Sequence, residues 1–503
     1  MHIYPVQPCG LDCKDYRVYL NGVQATPDSA RVSAMPFNRR WPGHQRQIEQ
    51  TELCNFLSFC VDSPVEIEVI PNKPFDPEKV EIRPASLGIK PVTENGSIRF
   101  TLAHAAYFTL EPWGRHGALH FFADPPAEYS YSPNVKTHYF APGVHDAGLI
   151  ELKSGETLYI DEGALVYGRV LAEDADDIAI LGRGILDNSR EKETILFEIN
   201  AENNNADVGN ATRTHTVELR YCDRVKIEGI TIRDSLCYNI KPSGCRDLEI
   251  SHVKLIGNWR FNSDGIDMHN CKHVHIHDCF IRTFDDSICI KGFDFFFADD
   301  PDRVTYEAIH HGDEVFDTFK DVLVERCTIW NDWGICLEIG AETRAEEICN
   351  ITFRDCDVIH VTSLVLDCFN ADYALVHDLL YENIRVEYDD IIPQPKIQTS
   401  DADTYAQTDP DYAPMLLSAR VAYNAEYSDK NRRGINRNIT FRNVYLTGRQ
   451  LPRLRFAGYD AEHETYNVRV ENLWHNGALV RSLPEDRIVI NEFTHGIELF
   501  VND

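Results

Sequence analysis

The feature that most constrains the fold is a short phrase that recurs along the second half of the chain. Each copy holds a cysteine or polar residue, one or two further polar residues, and then a strand in which hydrophobic and polar residues alternate. The first hydrophobic residue of each strand marks the phase of the repeat. The markers are Val225, Leu248, Val274, Val322, Ile351, Leu379, Ile439 and Val468.

Successive markers are separated by 23, 26, 48, 29, 28, 60 and 29 residues. A period in the twenties, doubled where a long insertion intervenes, is typical of stacked coils and not of a sandwich or an α/β fold. Helical periodicity is weak throughout. The sequence therefore predicts an all-β chain with a right-handed parallel β-helix over residues 131–503, its turns stabilised by stacked Asn, Cys and aliphatic side chains.

The two long gaps, about 292–318 and 387–435, predict loops that wall a groove beside the repeat. Their aromatic and histidine content suits that role. The residues concerned are Phe293, Phe295, Phe296, Phe297, Tyr306, His310, His311, Tyr405, Tyr412 and Tyr423.

Residues 1–130 have a different texture, with alternating strands separated by turn residues, which predicts an antiparallel β-sandwich domain. No pairs of acidic residues or metal-ligand spacings stand out there, so we expect a packing or substrate-framing module. Pro125, Pro126 and Pro133 mark the expected linker. The predicted strands cover 65–70, 80–85, 97–102, 107–112 and 118–123.

Charge and cysteine usage narrow the class of partner and the compartment. The chain has 49 Lys and Arg against 80 Asp and Glu, a net charge of −31, which opposes binding to nucleic acid or to an anionic membrane. No apolar run approaches a membrane span, and no secretory signal is visible, so we expect a cytoplasmic protein, or a secreted one if a signal was removed. The 15 cysteines lack paired metal-binding spacing and predict reduced, buried thiols.

Three aspartates stand at repeat spacing inside this pattern. Asp264 precedes Asp285 by 21 residues and Asp286 by 22, so one coil of the solenoid would place Asp264 beneath the pair, about 4.8 Å away. Such a cluster raises at least one pKa by repulsion, and glycoside hydrolysis needs one protonated and one ionised carboxyl. The alternative is that Asp264 and Asp286 only cap turns.

The motifs NSDGID (262–267) and DDSICIKG (285–292) resemble those of the polygalacturonase family of glycoside hydrolases, in which N-T-D-G-x-D is followed one coil later by D-D-C-I-A-I-K. SLCYNI (235–240) and CRDLEISHVKL (245–255) resemble the preceding coil. The resemblance covers about residues 215–360. The added N-terminal sandwich is similar to that of the related dextranase and isopullulanase family.

The resemblance implies a role for each aspartate. Asp285 corresponds to the general acid, while Asp264 and Asp286 correspond to the carboxylates that activate water, with inversion at the anomeric carbon. The family architecture implies the separation of an inverting enzyme, about 6.5–9.5 Å between carboxyl groups.

Two family elements are missing. Where the family has G-H-G, this chain has NDWGICLEIGAET (331–343), and where it has R-I-K, the chain has SLVLDCFNADY (363–373), without a basic residue. We therefore expect a neutral oligo- or polysaccharide such as a glucan, galactan or fructan-like chain, with pectic galacturonides as the alternative.

Five side chains are candidates for contact with substrate or with the aspartates. Lys291 matches the family lysine and would reduce repulsion among the carboxylates. His311 follows the aspartate strand on its loop. Trp333 would stack on a sugar ring, or else be a core tryptophan. Glu338 and Glu342 would bond sugar hydroxyls, although Glu338 fits a solvated strand position equally well.

His273, His275 and His277 alternate on one strand and lack a further ligand at metal-binding spacing, which indicates a solvated face. We expect neither a cofactor nor a metal. Other functions remain open: a polysaccharide lyase on the same solenoid, which would need a metal-bound acidic substrate, and a non-catalytic carbohydrate-binding solenoid. The oligomeric state is not predicted.

Overall fold

The computed structural model describes residues 1–34, 48, 51–127, 136–191, 194–195, 211–212, 214–292, 309–311, 314–388, 414–424 and 428–501. Strands dominate these ranges, and their helical turns are short 3-10 segments, at Pro77–Lys79, Ala85–Leu87 and Glu485–Arg487. None of the described helices is long and apolar enough to cross a membrane.

The N-terminal part forms two facing sheets, as predicted, with an apolar core between them. Neighbouring strands are antiparallel except for β5 and β11, which pair in parallel. One sheet contains β1 (His2–Ile3), β4 (Asp28–Ser33), β5 (Thr51–Cys60), β7 (Glu81–Arg83), β10 (Ala106–Arg115) and β11 (Leu119–Asp124). The other contains β2 (Tyr16–Leu20), β3 (Val23–Ala25), β6 (Val65–Pro71), β8 (Val92–Glu94) and β9 (Ser97–Leu102).

From residue 137 onward the chain winds into one continuous sheet of 30 strands, the predicted right-handed parallel β-helix. Two small hairpins leave it, β18 (Thr194–Ile195) with β19 (Ala211–Thr212) and β30 (Ile309–His311) with β31 (Glu314–Phe316).

The strands of the first half of the β-helix are β12 (Thr137–Phe140), β13 (Gly143–Leu152), β14 (Thr157–Ile160), β15 (Ala164–Glu173), β16 (Asp176–Gly182), β17 (Ile185–Asp187), β20 (Val217–Arg220), β21 (Asp223–Glu228), β22 (Thr231–Arg233), β23 (Ile240–Ser243), β24 (Arg246–Ser251), β25 (Lys254–Ile256), β26 (Ile266–His269), β27 (Lys272–His277), β28 (Phe280–Thr283) and β29 (Ile288–Lys291).

The strands of the second half are β32 (Thr318–Glu325), β33 (Thr328–Asn331), β34 (Ile335–Ala341), β35 (Glu347–Arg354), β36 (Asp357–His360), β37 (Leu364–Asn370), β38 (Leu375–Glu387), β39 (Met415–Val421), β40 (Ile435–Thr447), β41 (Arg453–Ala457), β42 (Thr465–His475), β43 (Ala478–Leu479), β44 (Ile488–Ile490) and β45 (Thr494–Val501).

The phase markers form a single column along the solenoid. Each marker pairs with the next one in parallel register, from Val225 with Leu248 through to Ile439 with Val468. The residue before each marker has a left-handed backbone, with φ between 53° and 61°. Asn and Asp tolerate this conformation best among residues with a side chain. The recurring polar residue is therefore a left-handed kink within the strand, and the hydrophobic residue after it points inward.

The 11 cysteines of the β-helix are buried, as predicted, whereas Cys9, Cys13 and Cys60 of the N-terminal part are only half-buried, and all 15 are free. Cys222, Cys245 and Cys271 lie in one buried column, where the Cys222 amide donates to the sulfur of Cys245 at 3.4 Å. A second buried column is formed by Cys279, Cys327 and Cys356. A thiol behaves here as a small hydrophobic side chain.

The sandwich packs on the face of the β-helix formed by β25, β28, β33 and β36. Phe56, Tyr107 and Phe122 share one apolar cluster with Phe280 and Trp330. Buried ion pairs cross the same contact, including Asp28 with Arg233 at 3.1 Å, Asp124 with Lys254 at 3.0 Å and Glu111 with His360 at 3.0 Å.

The domain boundary at residue 130 stays a prediction, and Pro133 lies outside the described residues. Most of the predicted groove loops also lie outside them, including Phe293, Phe295, Phe296, Phe297, Tyr306, Tyr405, Tyr412 and the side chain of His310.

Replacing Ile351 by Ala tests the inward column. Its side chain is 1% exposed, so the cavity should lower the free energy of unfolding by about 2–5 kcal/mol. The matched control is Thr352→Ala on the same strand, whose side chain is half-buried and should change stability by less than about 0.5 kcal/mol. Urea unfolding followed by circular dichroism measures both, and equal losses would contradict the assigned register.

Candidate active site

The repeat brings the three aspartates together. Ile266 pairs with Ile288 in parallel register, and the Gly265 amide donates to the Asp286 carbonyl oxygen at 2.8 Å, so Asp264 lies beside Asp286 one coil away. One carboxylate oxygen from each of Asp264, Asp285 and Asp286 lies within 4.8 Å of the others. This is the convergence that the spacing of 21 and 22 residues predicts.

The distance between oxygens is shorter than the 6.5–9.5 Å between carboxyl groups that the resemblance implies. Asp264 and Asp286 occupy paired positions on adjacent coils, so strand spacing alone brings them within about 5 Å. A sugar and a water molecule bound between them would use the open side of Asp286, which is only half-buried.

Buried polar side chains fix the backbone of the aspartates. Asn331 donates to the Asp285 carbonyl oxygen at 2.7 Å, and Asn239 does the same for Asp264 at 2.7 Å. The Ile335 amide donates to a carboxylate oxygen of Asp286 at 2.9 Å. At Gly334 a Cβ would lie 2.4 Å from the Asp286 nitrogen, so the D-W-G turn approaches this closely only with glycine.

Lys291 lies within the carboxylate cluster, as expected. Its ammonium group is 3.0 Å from Asp267, 3.5 Å from Glu342 and 3.9 Å from Asp264, and the side chain is 5% exposed. It therefore offsets part of the repulsion among the carboxylates. Glu342 and Asp267, which the sequence placed near the site, are held by this one cation.

The three aspartates differ in acidity. Burial, followed by the neighbouring carboxylates, raises the pKa of Asp264 and of Asp285 well above the ordinary value. Burial also raises the pKa of Asp286, but Lys291 and the Ile335 amide oppose it, and the result is about 6. Burial and charge repulsion thus favour the protonated acid at Asp264 and Asp285, whereas Lys291 and the Ile335 amide favour the carboxylate at Asp286.

Glu338 is buried, with 1% exposure, so the solvated alternative for this position does not hold. It lies on β34 directly above Cys289 of β29, and the Cys289 thiol donates to it at 3.5 Å. An oxygen of Glu338 lies within 4.8 Å of an oxygen of Asp286. The structure therefore adds a fourth carboxyl to the aspartate cluster.

Trp333 occupies the turn beside Asp286 and is half-buried, which is less than a core tryptophan. Its ring stacks on Phe284 at 5.5 Å and contacts Phe261 at 5.9 Å. These aromatic rings form an apolar edge next to the carboxylates, in keeping with the sugar-stacking position expected for it.

His311 does not lie with the aspartates. Its ring stacks on Tyr221 at 4.0 Å, and its Nε2 is 2.7 Å from Asp174. Arg220, the neighbour of Tyr221, is connected to Lys291 by three successive strand pairings, through Ser243 and His269. At one strand spacing per pairing, His311 lies about 14 Å from Lys291 along the axis of the β-helix. The hairpin β30–β31 folds back over earlier coils, which the sequence could not indicate, so His311 is not next to the aspartates, and its contact with substrate stays a prediction.

A residue of the sandwich supports the site, and sequence reasoning missed it. Arg115 donates to the carboxylate of Asp332, which also accepts from Trp330 Nε1 at 2.9 Å. Asp332 lies in the turn between Asn331 and Gly334, and its amide donates to the Thr283 carbonyl oxygen at 3.0 Å. The partners are 217 residues apart, so no local pattern could reveal the pair.

Arg115→Ala should destabilise the protein by about 1.5–3 kcal/mol, because it removes a buried charged hydrogen bond from Asp332, whose carboxylate keeps Arg282 at 3.6 Å. The control is Arg99→Ala in the same sandwich, whose bond to Glu68 is exposed and should matter by less than about 1 kcal/mol. Urea denaturation of both variants checks the difference. A loss for Arg115 as small as that for Arg99 would show that the pair does not anchor the turn.

Asp286→Asn should stabilise the protein at neutral pH. The pKa of Asp286, about 6 in the folded state, lies above the ordinary 3.8, so folding takes up a proton between these values, and stability falls as pH rises through them. The variant has no carboxyl to ionise at this position, so its stability does not fall in this way. It should be more stable than wild type at pH 7.5 by up to about 3 kcal/mol. The advantage should disappear near pH 4.

Asp278→Asn is the control of opposite sign. Burial raises the pKa of Asp278, but bonds from His277 and Arg326 outweigh burial and hold the pKa below its usual range. This variant should therefore lose stability at pH 7.5. Thermal unfolding across pH 4–8 measures both variants, and a destabilised Asp286→Asn protein at pH 7.5 would contradict the charge assignment.

Comparison with known proteins agrees with this geometry. Residues 168–391 match the family model described as Glycosyl hydrolases family 28. A probable polygalacturonase of Vitis vinifera is 26% identical over 146 residues, 27% of this chain and 27% of that protein. The chain thus matches about a quarter of the length of this curated relative.

Among solved structures, Dex49A from Penicillium minioluteum has a TM-score of 0.54 at 14% identity, covering 99% of this chain and 96% of that one. A family 28 exopolygalacturonase of Yersinia enterocolitica has a TM-score of 0.47 at 12% identity, covering 94% and 99%. The likeness to Dex49A shows a shared fold over nearly the whole chain. Residues 168–391, which contain the motifs around Asp264 and Asp285–Asp286, are therefore similar to glycosyl hydrolases family 28.

Proposed function

We propose that the protein is an inverting glycoside hydrolase that acts on a neutral oligo- or polysaccharide. The observation that carries the proposal is the convergence of three aspartates within 4.8 Å, in which burial favours the protonated acid at Asp285 while the Ile335 amide and Lys291 favour the carboxylate at Asp286. Hydrolysis of a glycosidic bond needs this pair of protonation states. The family match supports a polysaccharide as substrate.

In the proposed reaction Asp285 donates its proton to the glycosidic oxygen as the bond to the anomeric carbon breaks. Asp286 accepts a proton from a water molecule whose oxygen bonds to that carbon from the opposite face. One water is consumed, and the protons of the two carboxyls are then restored through solvent. The Ile335 amide bound to Asp286 fixes which oxygen faces the water.

Asp264 is less available than Asp286 as an ionised base in the free protein. Burial and the carboxylates of Asp285 and Asp267 favour its protonated form, and its Oδ1 has no hydrogen-bond partner among the described residues. We therefore assign the proton transfer to Asp286. Asp264 holds the attacking water by hydrogen bonding.

Charge around the aspartates supports a neutral sugar. Lys291 is engaged by Asp267 and Glu342, and Arg420, on β39 beyond the site, is engaged by Asp367 at 2.9 Å. A uronate next to the scissile bond would face the carboxylates, and both of these cations are already paired with acidic side chains. Pectic galacturonides remain the alternative substrate because of the polygalacturonase relative.

A carbohydrate-binding solenoid without activity is the competing function. It would gain nothing from keeping one carboxyl protonated beside an ionised one, whereas a hydrolase depends on it. Substitution of the proposed acid separates the two functions.

Asp285→Asn should lower kcat/KM by about 10²–10⁴-fold, since it removes the proton donor while preserving shape. Wild type and variant are incubated with neutral and uronic-acid oligosaccharides, and product anomers are followed by proton NMR. Asp247→Asn is the control, because this exposed turn aspartate has a left-handed φ of 53° that asparagine also adopts. It should retain wild-type activity.

Cleavage of one neutral substrate with an inverted product would support every part of the proposal. A retained anomer would overturn inversion and leave hydrolysis standing, and cleavage of uronides alone would overturn the neutral substrate. Glycan binding by both proteins without cleavage would favour the binding solenoid.

A further inference from the structure

We infer that Glu338 is a positioning residue that holds a proton in the resting site and donates it, as a hydrogen bond, to the carboxylate of Asp286. The effect of Glu338 on catalysis rests on the proposed function. The protonation of Glu338 is independent of that function and can be measured without substrate.

Glu338 is the middle member of a row of three carboxyl groups. On the coil before it, Asp286 offers an oxygen that lies, with the Cys289 sulfur and a Glu338 oxygen, inside a 4.8 Å group. On the coil after it, Asp367 pairs with Glu338 in parallel register. Glu338 is 1% exposed and Asp367 is fully buried, so little water screens the row.

The outer members of the row have partners that stabilise a negative charge. Both carboxylate oxygens of Asp367 accept from Arg420, at 2.9 and 3.1 Å. Asp286 accepts from the Ile335 amide at 2.9 Å. Charge-assisted bonds of this kind favour the ionised carboxylate.

Glu338 has no such partner. Within the part of the chain that the structure describes, no basic side chain lies within 4.0 Å of it, because Lys291 is turned to Asp264, Asp267 and Glu342. A charge on Glu338 would stand between two carboxylates in a buried site, which disfavours it strongly. Burial, followed by Asp286 and Asp367, accordingly raises the pKa of Glu338 well above its ordinary value.

The electrostatic surroundings of Glu338 come from every strand packed against it. The thiol of Cys289 donates to Oε2 of Glu338 at 3.5 Å, and this bond is compatible with a neutral acid. The titratable and charged groups around it are Asp286, Cys289, Lys291, Glu342, Asp367, Cys368, Tyr381 and, through Asp367, Arg420.

A neutral Glu338 has one proton to donate, and Asp286 is the acceptor within reach. This bond lowers the pKa of Asp286 against the effect of burial. Asp286 therefore stays ionised, and available as a base, to lower pH than it would alone. This is a different role from the sugar contact that the sequence suggested for Glu338.

Two variants separate the possibilities by the pH profile of kcat/KM. Glu338→Gln keeps a neutral hydrogen-bond donor, so the acid limb should stay within about 0.3 pH unit of wild type. Glu338→Ala removes the donor, so the acid limb should move upward by about one unit. If Glu338 were ionised, Glu338→Gln would remove a neighbouring charge and move the limb downward, which overturns the inference. A rise in KM alone in both variants would assign Glu338 to substrate binding.

A direct measurement holds even if no substrate is found. Infrared difference spectra of wild type at pH 7 should contain a carbonyl stretch of a protonated carboxylic acid that Glu338→Gln lacks. Glu342→Gln is the matched control, because the Glu342 carboxylate lies 3.5 Å from the Lys291 ammonium group and its replacement should remove no such band. If the carbonyl band of the protonated acid were unchanged in Glu338→Gln, the inference would be wrong, whether or not the protein is a hydrolase.

Discussion

The structure depends on one constraint, the parallel in-register stacking of successive coils. The residue before each marker has a left-handed backbone, and the marker that follows it pairs with the marker of the preceding coil. Side chains many residues apart in sequence thereby become neighbours at one strand spacing. The core columns, the cysteine columns and the aspartate cluster are all consequences of this register.

The same register creates an electrostatic problem and part of its solution. Stacking Asp264 beside Asp286, and Glu338 beside Asp367, concentrates carboxyl groups that repel one another in a site with little water. Lys291 and Arg420 neutralise some of them, backbone amides bind another, and protons must remain on the rest. A mixture of protonated and ionised carboxyls is what hydrolysis of a glycosidic bond requires.

The N-terminal sandwich contributes to this site through buried charge. Arg115 reaches the turn at Asp332, and the neighbouring Asn331 and Ile335 hold Asp285 and Asp286. Breaking such a pair is costly because it leaves a charge without its partner in the interior. The sandwich therefore contacts the turn beside the aspartates through the Arg115–Asp332 ion pair, in addition to its apolar packing on the β-helix.

The sequence by itself determined the coil register, because the alternation of inward and outward residues and the polar turn position repeat within each coil. From that register followed the convergence of Asp264, Asp285 and Asp286 and the nearness of Lys291. Only the tertiary structure decided what crosses between distant segments: the burial of Glu338 between two carboxyls, the contact of Arg115 with Asp332, and the removal of His311 to an earlier coil. These three features depend on how the insertions fold back and on how the sandwich packs on the β-helix. The repeat in the sequence contains no information about either.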